Sequence, residues 1–291
     1  MGLALLAKLL FMENFLIAHD ALLRIYALFI GSLVLLWESG FPAVAQVESI
    51  KFRWPRNILL FVFDILLSRI VMPISTLGLA IVASKQGWGI FNQIEVSAWL
   101  EVLLGIFALD VTAYILHVAL HRIPYLWRIH AVHHCDRDFD CTTGLRFHPF
   151  EALMEIAVRL AAIAALGVPV VAIVIYETWA IIGAFYTHAN ITIPQSLDRC
   201  ARNLMVTPNM HRIHHSAAKQ DGMSNYGVIF TVWDRIFSTY RDQSVTIGGN
   251  LITGLPWFNS RPDMGIAKLI ALPINPTPFH EEGEEHKARG K

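Results

Sequence analysis

Charge is what this sequence has least of. Only 16% of its 291 residues are Asp, Glu, Lys or Arg, against roughly 25% in ordinary soluble domains. Hydrophobic residues make up 55% and the mean hydropathy is +0.48, so the composition argues for membrane spans before any motif is read. The few charges cancel, 23 basic against 23 acidic, and leave no basic footprint for nucleic acid. Cysteine is scarce. Cys135, Cys141 and Cys200 form no C-x-x-C pair, and an odd number does not close a disulfide framework. Small buried thiols in a reducing, cytosol-facing setting suit them. No linker and no internal repeat interrupts the chain, so one catalytic domain is expected. The start, with Lys8 as its only early positive charge, does not read as a cleaved signal. Met1–Asp20 reads instead as an amphipathic or partly embedded lead-in.

The apolar runs come next, given that about 20 residues cross a bilayer. The first expected span is Ala21–Trp37, the second Asn57–Ala83 and the third Ala98–Leu120. Pro73, Asp64 and Arg69 mark the second as kinked or packed against other helices, with the two charges in structural roles. Glu151–Ile191 is too long for one span and holds Gly167 and Pro169, which predicts two helices hinged at Leu166–Pro169. Pro194–Lys291 is polar enough to lie outside the bilayer, with Val228–Phe237 partly buried. Lys51, Arg53 and Arg56 between the first two spans, against Lys85 alone in the next gap, place the first of these gaps on the cytosolic side. The polar stretch His121–Phe150 and the C-terminal region then share that side.

Histidine is what the chain does have. Of thirteen, eight fall into three motifs: His117/His121 as H-x-x-x-H, and His130/His133/His134 and His211/His214/His215 each as H-x-x-H-H. Residues three and four apart share a helix face, so each motif can aim its imidazoles at one point. Such a set can hold two metal ions with few or no carboxylates. Imidazole suits Fe, Zn, Cu or Ni, so ligand type alone does not choose among them. His188, after the fifth span, and His148, before the fourth, lie at the same depth and are further candidate ligands; for His148 the rival role is at the start of a helix. His19, His280 and His286 have no partners at ligand spacing. Asp110, seven residues before His117 on the same face, is a candidate to orient a ligand imidazole or line a substrate path; a helix–helix polar contact is the competing reading. Trp99, Tyr114, Trp179 and Tyr186 either line a substrate wall or serve as anchors and packing.

This pattern resembles the fatty acid hydroxylase/sterol desaturase superfamily of membrane di-iron enzymes. The resemblance covers roughly Leu100–Thr239. Beside the three motifs it rests on Arg146-Phe147-His148-Pro149 with Glu151, on Asn225-Tyr226-Gly227, and on Trp233-Asp234-Arg235-Ile236-Phe237. One departure is Phe237-Ser238-Thr239, where relatives often carry Gly in the middle. The resemblance implies an all-α integral membrane protein of about four to five transmembrane helices with a cytosolic histidine-rich helical cap. It implies two Fe ions, O2 as co-substrate, a membrane lipid substrate and a separate electron donor such as cytochrome b5 or a ferredoxin. Asn225, Tyr226, Gly227, Trp233 and Asp234 would frame the third motif. The expected division is 1–96 N-terminal membrane helices, 97–245 catalytic domain and 246–291 C-terminal cytosolic tail, in a bacterial inner membrane.

The expected activity is hydroxylation of a lipid C–H bond, with desaturation of the same lipid class as the alternative. A membrane zinc hydrolase is opposed by the lack of H-E-x-x-H and by a histidine count beyond one zinc's needs. A transporter would carry its ligands near the bilayer midplane. A non-catalytic metal-binding scaffold would have the same motifs without turnover.

Overall fold

The computed structural model describes residues 2–245, 251–255, 258 and 265–274, with side chains in the first helix described at Phe15 and from Ala18 onward. His280, His286 and the charged segment 281–291 lie outside the described residues. Among the described residues the chain is all helix and loop, without a β-strand. Four of the described stretches are long and apolar enough to cross a membrane: Ala18–Gly40, Ile50–Asn92, Ala98–Arg122 and Val170–Thr187.

Helix α1 (Gly2–Gly40) runs unbroken, so the expected lead-in and the first span are one element. It packs along α7 (Val170–Thr187). Arg24 of α1 pairs with Asp20 one turn earlier and with Glu177 on α7, which keeps these charges off the lipid. The second expected span is two helices, α2 (Ile50–Val71) and α3 (Thr76–Gln86). Pro73 has no N–H to donate and disfavours helix at the residue before it. Ser75 then restarts the helix by accepting the Gly78 N–H at 3.0 Å. Both halves lie against α6 (Pro149–Leu166).

The hinge in the long apolar run is where the sequence places it. α6 ends at Leu166, and Gly167 takes φ +70° as its left-handed cap. α7 begins at Val170 after Pro169. Helix α4 (Ala98–Arg122) packs against α6, α7 and α5 (Pro124–His134). The polar ends of α1, α2, α4 and α7 therefore meet the loops that carry the remaining histidines.

Arg53 and Arg56 are not loop cations. They sit in the first turns of α2, buried, paired to Asp136 and to Glu48 respectively, which leaves Lys51 as the exposed charge of that segment. The last described segment is not a free tail either. Leu255, Phe258, Leu269 and Leu272 pack on Ala131, Val132 and Cys135 beside Trp127.

Among the described residues, two non-glycine residues hold positive φ, Asn225 at 56° and Ser238 at 57°. A left-handed backbone costs an L-residue about 1–2 kcal/mol, less for Asn. Ser238→Gly is therefore expected to raise the thermal midpoint of the purified protein modestly; an unchanged or lower midpoint would show that the Ser238 side chain compensates the strain.

Candidate metal centre

Nine buried histidines converge on two adjacent points. His117, His121, His130, His134 and His214 form one group; His133, His188, His211 and His215 form the other, and within each group the ligand atoms lie within 4.8 Å of one another. Each H-x-x-H-H motif is split between them. In α5 the i,i+4 pair His130 and His134 faces the five-histidine group, while His133 faces the other. In α9 (Pro208–His214) and its cap the roles reverse: His211 and His215 serve the four-histidine group and His214 crosses over. Helical geometry explains this, because i and i+4 lie nearly above one another, whereas i+3 is rotated to the opposite flank of that line. The expectation that each motif aims at a single point holds for His117/His121 and is corrected for the two H-x-x-H-H motifs. The groups touch through His134 and His215, whose rings stack at 4.3 Å.

The donor atoms have the chemistry of an inner coordination shell. In the five-histidine group every Nε2 is buried and lacks a hydrogen-bond partner. In the other, His188 Nε2 lies 3.2 Å from His133 Nε2 and 3.0 Å from His211 Nε2, and His215 Nε2 is unpartnered. Metal–imidazole bonds of about 2.0–2.1 Å, the zinc values, place neighbouring donors about 3 Å apart. Each buried polar atom left unpaired costs about 1–3 kcal/mol, so lone pairs aimed at a common point fit a cation and little else. Burial pushes the His130 imidazole down to about 3 and His188 to about 4. His133, His134, His211, His214 and His215 are held well below the ordinary value by burial and by one another. The imidazoles are thus neutral near pH 7, as ligands must be.

Five of the opposite ring nitrogens are anchored. Nδ1 of His117 donates to Tyr226 O at 2.8 Å, that of His133 to Arg146 O at 3.2 Å, that of His214 to Ser224 O at 2.7 Å and that of His188 to Ala184 O at 2.8 Å. His130 Nδ1 donates to the fully buried Glu151 carboxylate at 2.6 Å. These contacts fix the tautomer and turn Nε2 inward. Glu151→Gln is expected to weaken metal retention in the five-histidine group by about 10–100-fold, measured by chelator competition. Unchanged retention would remove Glu151 from this role. Gly144 completes the His188 seat, since a Cβ there would stand 2.9 Å from His188 Nδ1 and 2.5 Å from Ala184 O.

Two expected site residues stand elsewhere. His148 caps α6: its Nδ1 accepts the Phe150 N–H at 3.1 Å and its Nε2 donates to Ile270 O at 3.0 Å. Neither nitrogen is left for a metal, and His148 belongs to neither group. Asp110 does not meet a ligand imidazole; its carboxylate accepts from the N–H groups of Ile229 and Phe230 and from Trp233 Nε1. Of the aromatic candidates, Tyr114 stacks on Phe237, Trp179 meets Phe230 edge-on, Trp99 is exposed, and Tyr186 packs beside the Phe185 cluster. Asp234 frames the third motif by accepting the Tyr226 and Gly227 N–H groups at 2.8 Å each.

Residues the sequence reading missed surround the four-histidine group. Glu38, at the end of α1, accepts from Cys141 N and Asn190 N, and so clamps the segments on either side of His188. Arg53 binds Asp136 and Asp140, holding the loop whose Phe139 packs on His188 and His215 at 5.5 and 5.1 Å. Alternating acids at Asp136, Asp138 and Asp140, in a chain this poor in charge, were the available signal.

Comparison with known proteins agrees with this geometry. Residues 102–239 match the fatty acid hydroxylase family. The ornithine lipid hydroxylase of Rhizobium tropici is 35% identical over 163 residues, covering 53% of this chain and 46% of that protein. The human alkylglycerol monooxygenase is 24% identical over 151 residues, 50% of this chain and 31% of its own. A fatty acid hydroxylase of Lecanicillium is 27% identical, covering 54% and 47%. The chain thus spans less than half the length of each of these relatives. No solved structure matches it. The segment 102–239, which is similar to the fatty acid hydroxylase family, holds all nine converging histidines, beside four helices long and apolar enough to cross a membrane among the described residues.

Proposed function

We propose that the protein is an O2-dependent lipid hydroxylase with two iron ions. His117, His121, His130, His134 and His214 would hold one, and His133, His188, His211 and His215 the other. The observation that carries this reading is the pair of touching, all-histidine groups with buried lone pairs and no other partner. Iron so held supplies O2 activation, by which a C–H bond becomes C–OH while the second oxygen, two electrons and two protons leave as water. The protein's part is geometric and dielectric. Backbone carbonyls and Glu151 fix the ring orientations, and Phe139 and Trp127 pack on the ligand rings, excluding water from their flanks.

The relatives named for hydroxylation of ornithine lipid, alkylglycerol and fatty acid support a membrane lipid as substrate. The electrons would come from a separate carrier such as cytochrome b5 or a ferredoxin. The histidine face would look to the cytosol from a bacterial inner membrane. The test is metal content of detergent-purified protein made with iron supplied, together with transfer of one 18O atom from 18O2 into a bilayer lipid. About two irons per chain and labelled lipid are expected. One metal or none in folded, iron-supplied protein would overturn the two-iron reading. Two metals without any labelled product across lipid classes would favour a scaffold.

A further inference from the structure

The chain beyond Pro194 reads as extramembrane, yet part of it reaches the interior of the helix bundle. Asp110 is the middle of α4, twelve residues from Ala98 and twelve from Arg122. At 1.5 Å per residue it lies about 10 Å below His117 along the helix. Trp99, 68% exposed, marks the far end of α4, where aromatic anchors sit. About 20 residues of helix fill the hydrocarbon layer, so Asp110 is within it. What meets Asp110 there is two loop backbone N–H groups, those of Ile229 and Phe230 at 3.2 Å each, and the indole N–H of Trp233 at 2.8 Å. The Phe230 ring stacks on Phe107 of α4 at 4.9 Å and meets Trp179 of α7 at 5.4 Å.

Non-helical backbone survives at this depth only where protein groups satisfy it. Asp110 takes three donors. A neighbouring strip takes two more: Val206 N donates to Ile229 O at 3.0 Å and Thr231 N to Leu204 O at 3.2 Å. The cost of a buried carboxylate and the cost of open backbone cancel against each other.

We infer that residues 204–206 and 228–237 form a re-entrant element in the acyl-chain layer, with Leu204, Ile236 and Phe237 in contact with lipid tails. These three side chains are 61%, 59% and 53% exposed. Phe237 stacks on Tyr114 at 5.4 Å, and the next residue of α4, Ile115, is itself exposed, so this apolar surface continues that of a spanning helix. Arg235 turns away from it. Its guanidinium lies 4.1 Å from the Tyr240 ring centroid and donates to Arg202 O at 3.0 Å. Tyr114 is three residues before His117, so lipid tails reach the flank of the metal centre laterally. The inference rests on α4 crossing the membrane and not on the redox reading.

Site-directed spin labelling tests it. The background is Cys200→Ser, because Cys200 is exposed while Cys135 and Cys141 are buried. Labels go on Leu204→Cys, Ile236→Cys and Phe237→Cys, with the exposed Gln220→Cys as aqueous reference, in phosphatidylethanolamine–phosphatidylglycerol vesicles. The ratio of O2 to nickel-chelate accessibility is expected to be several-fold higher at 204, 236 and 237 than at 220. Ratios equal to that at 220 would overturn the proposal. If Phe237→Cys does not fold, the labels at 236 and 204 decide. Iron content, measured on the same samples, reports separately on the hydroxylase reading.

Discussion

Alanine at His133 and alanine at His134, adjacent in the chain, are expected to empty different metal positions. His134 belongs to the five-histidine group and His133 to the four-histidine group. Each variant should therefore retain about one metal per chain in place of two, and each should lose turnover by more than the roughly 10–100-fold typical of changes outside the coordination shell. The size of the residue is not the cause, since both positions are buried in the same helix and the same truncation is made. The two variants should differ in what remains. His134→Ala leaves four histidines at its own group, His133→Ala three, so His133→Ala should be the harder to refill with added iron. Metal analysis and iron titration of both proteins check this. Simultaneous loss of both metals from each variant would mean that the groups assemble as one unit rather than as two.

Much of this centre is legible from spacing alone. One H-x-x-x-H and two H-x-x-H-H motifs in a membrane chain leave few readings other than a metal centre, although spacing did not show that each H-x-x-H-H divides between two adjacent points. The Gly167 hinge is equally legible, because the run Glu151–Ile191 exceeds one span and has its only helix-breaking pair in the middle. Less visible was anything that depends on which nitrogen a histidine offers. His148 has the right residue type at the right depth, but it opens α6, where its Nδ1 is worth more to the Phe150 N–H than to a metal. Asp110 shares a face with His117, yet two helical turns separate the two, and its partners come from a loop distant in sequence. Long-range pairing of this kind leaves no periodic trace. The same holds for Arg53, whose place between two apolar spans reads as a loop charge until the loop carrying Asp136 and Asp140 folds onto it.

Arg53→Leu is the second substitution expected to have a large effect. The guanidinium is fully buried and spends four contacts at once: Nε and Nη2 on Asp136 at 3.1 and 2.9 Å, Nη1 on Asp140 at 2.6 Å, and Nη2 on Asp138 O at 2.7 Å. Burial alone would raise the Asp136 carboxyl, but the Arg53 and Arg146 guanidiniums outweigh it and hold it below the usual carboxylate range. Removing Arg53 takes the nearest cation from two buried carboxylates, and breaking a buried pair in this way costs about 3–5 kcal/mol. The loss should reach the metal centre through the loop, because Asp138 also ties Val47 N and Glu48 N at 2.7 Å each, and Phe139 between these acids packs on the four-histidine group. Arg53→Lys keeps the charge but not the fork, since one ammonium does not span two carboxylates. It should recover part of the stability and less of the metal retention. Thermal unfolding and chelator release on both variants separate the two effects. If Arg53→Leu lowers the unfolding midpoint while metal release from the four-histidine group keeps the wild-type rate, the loop holds the fold together without setting the ligands.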